Sequence, residues 1–298
     1  MITKVEIGSY RILGDVEAQL QPLTLIVGPN GCGKSTFLAA LERASKPSSE
    51  TSLIPHVWLE VVDQERVAKS NPSDRIPGDM LPKTVLRLRF SMAALREKSQ
   101  GLDSSDGFEP DGKNLSRIIA DYKLNDTAKL DVILEHLREV VPSIKEIKIR
   151  LEQGYFRLIF DTIATKNIPI EHMSDGTVFA LGLLTALSFV GDSSALVLID
   201  DIDQGLHPLA QKELVGIVRR IQASNPQLQI VATTHSPYLL ACVQPQEVLC
   251  MHIGDDGLSR MAPLTSHPDF DRWKSDMNPG EFWSLFGDKW VAESKTAA

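Results

Sequence analysis

The chain has 298 residues, 43% hydrophobic and 23% charged, with 31 Lys+Arg against 39 Asp+Glu and a formal net charge of −8. Those values exclude a disordered or collagen-like chain, and the length suits one large domain or a core domain carrying a sizeable insertion. The acidic balance argues against a protein that coats nucleic acid generally, while leaving room for a local basic face.

The first residues, Met1 to Ile7, alternate apolar and polar side chains and read as a strand, not as a signal peptide. Leu23 to Val27 is a continuous apolar run ended by Gly28, the pattern of a buried parallel strand. It leads into Gly28-Pro29-Asn30-Gly31-Cys32-Gly33-Lys34-Ser35-Thr36 and then into a helical stretch from Phe37 to Arg43. This is G-x-x-x-x-G-K-[ST] in its required strand–loop–helix setting. Gly28, Gly31 and Gly33 let the backbone turn its N–H groups around a polyphosphate. The following helix points its positive end at the same anion. Lys34 is expected at the β/γ-phosphates, Ser35 on Mg²⁺ and Thr36 at the α-phosphate. Cys32 reads either as a small filler or as a redox brake, a thiol activated by the helix start whose oxidation would obstruct the phosphate path.

Residues 46–165 are more polar and irregular. Thr84 to Phe90 alternates Leu86, Leu88 and Phe90 with Arg87 and Arg89, predicting a half-buried strand with a basic outer face. Ser99 to Asn114, rich in Ser, Asp and Gly, reads as a mobile loop. Thr127 to Val141 sets Leu130, Ile133, Leu134, Leu137 and Val141 on one helical stripe, with Asp126 as cap and Pro142 as stop. Ile147, Ile149 and Leu151 alternate with Lys148 and Arg150, and a turn at Gln153-Gly154 leads into Phe156, Leu158 and Phe160, predicting a hairpin.

Phe179 to Val190 is the longest apolar run; Gly182, Thr185 and Ser188 interrupt it, and it falls short of the roughly 18 residues of a membrane span. Ala195 to Ile199 is a second buried strand, ending at Asp200-Asp201. A carboxylate at such a strand end is the second half of a nucleotide site, with Asp200 beside the metal held by Ser35 and Asp201 orienting the attacking water. Gln229 to Thr234 is a third buried strand, ending at His235-Ser236-Pro237. His235 lies at the edge where open parallel sheets bind ligands, and it either contacts the γ-phosphate or water, or caps the next helix from the surface. The tail carries Trp273, Phe282, Trp283, Phe286 and Trp290, which either fold back on the core or form a partner-docking surface. Three cysteines, Cys32, Cys242 and Cys250, are too few and too scattered for a disulfide framework or zinc site. The expected address is cytoplasmic, with no membrane contact.

Together these motifs resemble the ABC-type P-loop ATPases, in the branch that includes the SMC, RecF and OLD-like proteins, and within it the small AAA_21-like ATPases. The opening strand and turn, Ile7-Gly8-Ser9-Tyr10-Arg11-Ile12-Leu13, is similar to that branch. Met173-Ser174-Asp175-Gly176-Thr177 resembles its signature motif, Asp200 to Pro208 its Walker B and D-loop segment, and Thr234-His235-Ser236 its switch histidine. Pro279 to Trp283 looks like the tail of small ATPases found beside an effector. The resemblance implies an α/β P-loop core with an ABC-type mixed sheet, formed by residues 1–45 and 166–262. Residues 46–165 would be an inserted α+β lid or arm, and 263–298 an aromatic tail. It implies ATP and Mg²⁺ as cofactors, a nucleotide contact from Arg11, and a homodimer that sandwiches ATP. In that dimer Ser174, Asp175 and Gly176 of one copy close on the phosphate held by Lys34 of the other. With only about 35 residues after the last core strand, no fused nuclease domain is expected. The implied output is therefore control of a separately encoded nuclease or toxin in bacterial antiviral defence or DNA maintenance.

The family's active members carry Glu where this chain has Asp201, one methylene shorter, which implies slow hydrolysis. No Q-loop glutamine is assigned; Gln64 and Gln100 are the available residues. A RecF-like repair ATPase is the alternative, with Arg87, Arg89, Lys148 and Arg150 either contacting nucleic-acid phosphates or forming an ordinary solvated face. A transporter nucleotide-binding subunit fits the signature less well, and a small-molecule kinase leaves His235 unexplained.

Overall fold

The computed structural model describes residues 1–46, 57–63, 66–69, 76–100 and 107–293. Gln64 and residues 101–106 of the expected mobile loop lie outside them. In chain order the elements are β1 (Ile2–Ile7), β2 (Val16–Gln19), β3 (Leu23–Val27), α1 (Lys34–Ser45), β4 (Val57–Asp63), β5 (Arg66–Lys69) and β6 (Thr84–Leu88). Next come α2 (Met92–Leu95), β7 (Ser99–Gln100), α3 (Leu115–Asn125), α4 (Thr127–Val140), β8 (Ile144–Glu152), β9 (Tyr155–Thr162), β10 (Ile168–Pro169) and α5 (Asp175–Val190). The remainder is β11 (Ala195–Ile199), α6 (Pro208–Ser224), β12 (Leu228–Thr233), α7 (Pro237–Leu240), β13 (Val248–Ile253), β14 (Ser259–Pro263), α8 (Phe270–Trp273), α9 (Pro279–Phe286) and α10 (Trp290–Glu293).

Two compact units result: Met1–Arg87 with Asp192–Ile202 and Ser224–Ala298, and Leu88–Gly191 with Asp203–Ala223. This division differs from the expected one. β4 pairs antiparallel with β1 and belongs to the first unit, although residue 46 was the expected start of the insertion. α5 belongs to the second unit, although it was expected in the core. Texture along the chain does not reveal either pairing, because both depend on which apolar face meets which.

The first unit holds two sheets. One is four-stranded in the order β2-β1-β4-β5, and the other is six-stranded in the order β14-β13-β3-β12-β11-β6. In the second, β13, β3, β12 and β11 run parallel, and β14 closes one side antiparallel. Every residue of β3, β11 and β12 is buried, as a sheet covered on both faces demands. Parallel strands end on one edge, so the segments after β3, β11 and β12 emerge together there. α1 buries Phe37, Leu38 and Leu41 in the same core as Ile26, Leu198 and Val231.

The tail packs back onto the first unit. Phe282 and Val291 are almost fully buried, and the His267 ring sits about equally close to Phe282, Phe286 and Trp290, with centroids at 5.1, 4.9 and 5.1 Å. Asn278 caps α9 and Glu281 returns the bond, a capping box. Gly280 allows a close backbone approach: a Cβ there would fall 1.9 Å from the Pro237 carbonyl oxygen.

In the second unit the β8–β9 hairpin turns at Gln153 and Gly154, both at positive φ. α4 runs as expected, with Asp126 accepting from the Lys129 N–H. The described residues of the segment expected as a mobile loop make defined contacts. Ser99 and Gln100 pair with β9, and buried Asn114 donates to Gly107 and accepts from the Glu109 N–H. Phe108, predicted to be a loop residue, is buried and stacks with Phe90 and Phe189. No helix among the described residues is long and apolar enough to cross a membrane.

Burial lowers the pKa of His267 below the ordinary histidine value. The unfolded chain therefore binds the proton more readily, and stability falls as pH drops through that interval. Melting should move down between about pH 7.5 and about pH 5.5, and His267→Phe should reduce that pH dependence by removing this site's contribution. A melting curve series at fixed ionic strength checks this.

Candidate functional site

β3 delivers the chain to Gly28, where φ is +151°. A Cβ at Gly28 would lie 2.3 Å from the Met251 carbonyl oxygen, so β13 leaves no room for any side chain there. Gly33, at φ +93°, ends the loop and precedes α1. No side chain caps α1 and no acidic residue sits in its first turn, so its leading N–H groups point outward as an anion receptor. The Lys34 ammonium is buried and donates to the Gly28 and Pro29 carbonyl oxygens at 2.8 and 3.0 Å. Pro29, Asn30, Gly31 and Ser35 are exposed, and Thr36 is half-buried. The loop is thus a positively lined, open cradle whose shape suits a polyphosphate.

Cys32 is fully buried beneath this loop. Burial pushes its thiol pKa up, outweighing the lowering effect of nearby Lys34. Of the two readings of Cys32, this favours the small filler over the redox brake, because desolvation of the thiolate outweighs the field of the helix start. Cys32 is a packing residue, within van der Waals reach of the space that Gly28 leaves empty.

The strand β11 ends at Asp200 and Asp201. Asp200 is mostly buried, and its Oδ2 accepts two bonds from Arg87, from Nη2 at 2.9 Å and from Nε at 3.2 Å. The same Nη2 donates to the Ser35 carbonyl oxygen at 2.9 Å. Arg87 therefore ties the end of β11 to the start of α1. This overturns the expectation that Arg87 lies on a basic outer face. β6 is a strand of the central sheet, and Leu86, Arg87 and Leu88 are all buried. Alternation implies one wet face only in a strand that has one.

Asp201 is exposed and left-handed at φ +54°, a region that Asp tolerates better than most residues. Thr233, at the end of β12, holds it there. The Asp201 N–H donates to the Thr233 hydroxyl at 2.8 Å, and that hydroxyl lies 3.4 Å from the Asp201 carboxylate. His235 is exposed one residue beyond Thr234. Ser236, not His235, caps α7 by accepting from the Leu239 N–H, so the capping role considered for His235 is filled by its neighbour. Arg11 is exposed, at φ +57°, with its guanidinium 5.4 Å from the Tyr10 ring centre. The turn that carries it lies against the phosphate loop, since Ile12 and Leu13 side chains are nearest to Gly33.

In the second unit, Ser174 caps α5 and accepts from the Thr177 N–H. Arg96, which the sequence reading did not single out, donates to the Met173 carbonyl oxygen at 2.9 Å and to Asp175 at 2.6 Å. Asp175 is thereby engaged within its own unit. A Cβ on Gly176 would fall 2.3 Å from the Gly205 carbonyl oxygen, so the signature-like turn and the segment after Asp203 touch backbone to backbone. Gln100 forms part of β7 and does not follow β6 directly; nothing places a glutamine at the strand end where Arg87 stands. Among the described residues no cluster of three or more His, Cys, Asp or Glu could hold a metal by itself. A magnesium ion held by Ser35 and Asp200 would fit the usual pattern of one or two protein ligands, with waters and phosphate oxygens completing the coordination.

Fold and site together define a P-loop nucleotide-binding domain on a mixed sheet. Residues 1–72 match the family described as AAA ATPase domain, and residues 113–241 match AAA domain, putative AbiEii toxin, Type IV TA system. The Septu protein PtuA of Bacillus thuringiensis is 23% identical over 287 residues, covering 78% of this chain and 71% of that protein. The OLD nuclease of Thermus scotoductus is 24% identical over 319 residues; the match covers 80% of this chain but only 59% of that protein's length. The crystal structure of an Smc head bound to the C-winged helix domain of ScpA superimposes with a TM-score of 0.62, at 17% identity, over 88% of this chain and 96% of that one. Over these stretches the chain is similar to P-loop ATPase domains, and its fold is that of an Smc head.

At about pH 8, a small alkylating reagent should modify half-exposed Cys242 and spare Cys32 and Cys250, whose thiols burial holds above their ordinary pKa. Peptide mass analysis of the labelled protein reads this directly. Rapid labelling of Cys32 would contradict its burial.

Proposed function

We propose that the chain binds ATP with Mg²⁺ in the cradle over Lys34, dimerises around it, hydrolyses it slowly and so controls a separately encoded effector. What carries this reading is the convergence of an uncapped α1 start, the Lys34 ammonium and the Asp200 carboxylate on one edge of the parallel sheet. Backbone N–H groups from Gly28 to Gly33, together with Lys34 and Thr36, would bind the phosphates. The Ser35 hydroxyl and Asp200 would hold the magnesium, whose charge would offset that of the β- and γ-phosphates. Asp201 would orient the attacking water, and His235 would contact the γ-phosphate or that water. The short Asp201 carboxylate, pinned through Thr233, supports slow turnover. Ser174 and Gly176 of a second copy would close the site, the helix start of α5 meeting the anion.

The effector is proposed to be a nuclease or toxin, and the setting bacterial antiviral defence. Likeness to the Septu protein PtuA, and to the family described as a putative AbiEii toxin, supports this direction. A DNA-contacting reading is less favoured. Arg87 bonds Asp200, Lys148 pairs with Asp161 at 2.6 Å, and Arg150 lies 3.7 Å from Glu152, so three of the four basic residues face carboxylates of the chain itself.

With Mg²⁺ and ATP, light scattering of Asp201→Asn should report about twice the nucleotide-free mass, because ATP persists in the closed dimer. Lys34→Ala should keep the nucleotide-free mass and bind ATP at least about tenfold more weakly. A wild-type chain with no affinity for Mg–ATP, or an Asp201→Asn chain whose mass ignores nucleotide, would refute the proposal.

A further inference from the structure

Arg87 has no role in the nucleotide reading so far, yet it is the best-buried guanidinium contact at the site. Its side chain is 9% exposed and that of Asp200 is 13%. It bonds Asp200 Oδ2 twice, bonds the Ser35 carbonyl oxygen once, and has Glu42 Oε2 at 3.7 Å from Nη1. Glu42 lies two turns into α1 and is itself paired with Lys46 at 2.7 Å. Asp200 is mostly buried beside the start of α1, and burying a carboxylate is costly without a cation. The planar guanidinium supplies the charge and can bridge a carboxylate and a carbonyl at once, which an ammonium cannot do in the same geometry.

The residues that Arg87 bridges, Ser35 and Asp200, are those assigned to magnesium above, and the inference rests on that assignment. A divalent cation drawn to Asp200 would meet a guanidinium already bonded to the same carboxylate. Two cations at such short range repel strongly in a partly buried site. We propose that Arg87 is a built-in counter-cation: it holds Asp200 and the start of α1 together in the nucleotide-free protein and competes with magnesium for Asp200. Magnesium bound with the nucleotide would displace Arg87 from Asp200, and Glu42, whose Oε2 lies 3.7 Å from Nη1, would take up its charge. Arg87 is thus a positioning residue that raises the magnesium concentration needed to load the site.

The test uses the full chain and two variants, Arg87→Gln and Arg87→Lys. A fluorescent ATP analogue is held at fixed concentration while magnesium is titrated, and a second titration measures analogue binding in EDTA. Melting is followed in EDTA and in excess magnesium. Arg87→Gln should reach half-saturation at about five- to tenfold less magnesium than wild type, the effect of removing one competing charge-assisted contact. Arg87→Lys, which keeps the charge but loses the bridge, should fall between. In EDTA, Arg87→Gln should melt below wild type, and magnesium should restore more of its stability than it adds to wild type. Binding in EDTA should stay within about twofold of wild type, since Arg87 touches no phosphate in this scheme. An unchanged or raised magnesium midpoint in both variants overturns the inference. So does a loss of EDTA binding that parallels the magnesium effect, which would make Arg87 a phosphate ligand. If wild type itself binds no analogue with magnesium, the nucleotide reading fails and takes the inference with it. A wild type that binds normally beside an unmoved Arg87→Gln midpoint overturns the Arg87 inference alone.

Discussion

Charge has to be balanced where parallel strands end. β3, β11 and β12 are buried on both faces, so whatever polar groups follow them emerge together at one edge of the sheet. There the first unit concentrates an uncapped helix start, the Lys34 ammonium, the Asp200 and Asp201 carboxylates and the Arg87 guanidinium. Lys34 bonds the Gly28 and Pro29 carbonyls, Asp200 Oδ2 bonds Arg87, and the Asp201 N–H bonds the Thr233 hydroxyl. The arrangement is stable without an anion and still leaves the α1 N–H groups turned outward. A polyphosphate with its metal would exchange these internal bonds for external ones, a rearrangement of contacts between groups already held in place.

The strained point of the site is Asp201. Its left-handed backbone costs something, of order 1 kcal/mol for a non-glycine residue, and Asp tolerates it best along with Asn. Thr233 offsets that cost by accepting from the Asp201 N–H, and Ile202 adds a further bond to the Thr233 carbonyl. Two strand ends thus fix one carboxylate. A Glu at this position would add reach and rotamer freedom that Asp201 lacks, which links the sequence departure from the family to a mechanical consequence.

Elsewhere the same logic of close backbone approach recurs. Gly28 against the Met251 carbonyl, Gly176 against Gly205 and Gly280 against Pro237 are places where a methyl group has no space. The first shapes the phosphate loop, the second the signature-like turn of the second unit, and the third seats the aromatic tail on the first unit. Phe282, Phe286 and Trp290 pack around His267, while Tyr238 and Leu285 are exposed, each about 60% accessible. Folding back, and not docking a partner, accounts for Phe282 and Trp290.

The phosphate loop, the acidic strand end, the α4 stripe and the β8–β9 hairpin were legible in the sequence. Each is encoded locally: glycines and Lys34 at set spacing, an apolar run ending in Asp200, a helical period capped by Asp126, a Gln153-Gly154 turn. The position of Arg87 was not legible, because alternating Leu86, Arg87 and Leu88 reads as half-wet when the strand in fact has two dry faces. The assignment of β4 and α5 to their units, the pairing of Ser99 and Gln100, the contacts of Asn114 and the Arg96 contact with Asp175 likewise depend on distant neighbours. Local sequence determines which backbone conformations and which chemical groups are available. Only the tertiary structure decides which of them meet, because burial and pairing energies depend on neighbours more than a hundred residues away, as Asp200 is from Arg87.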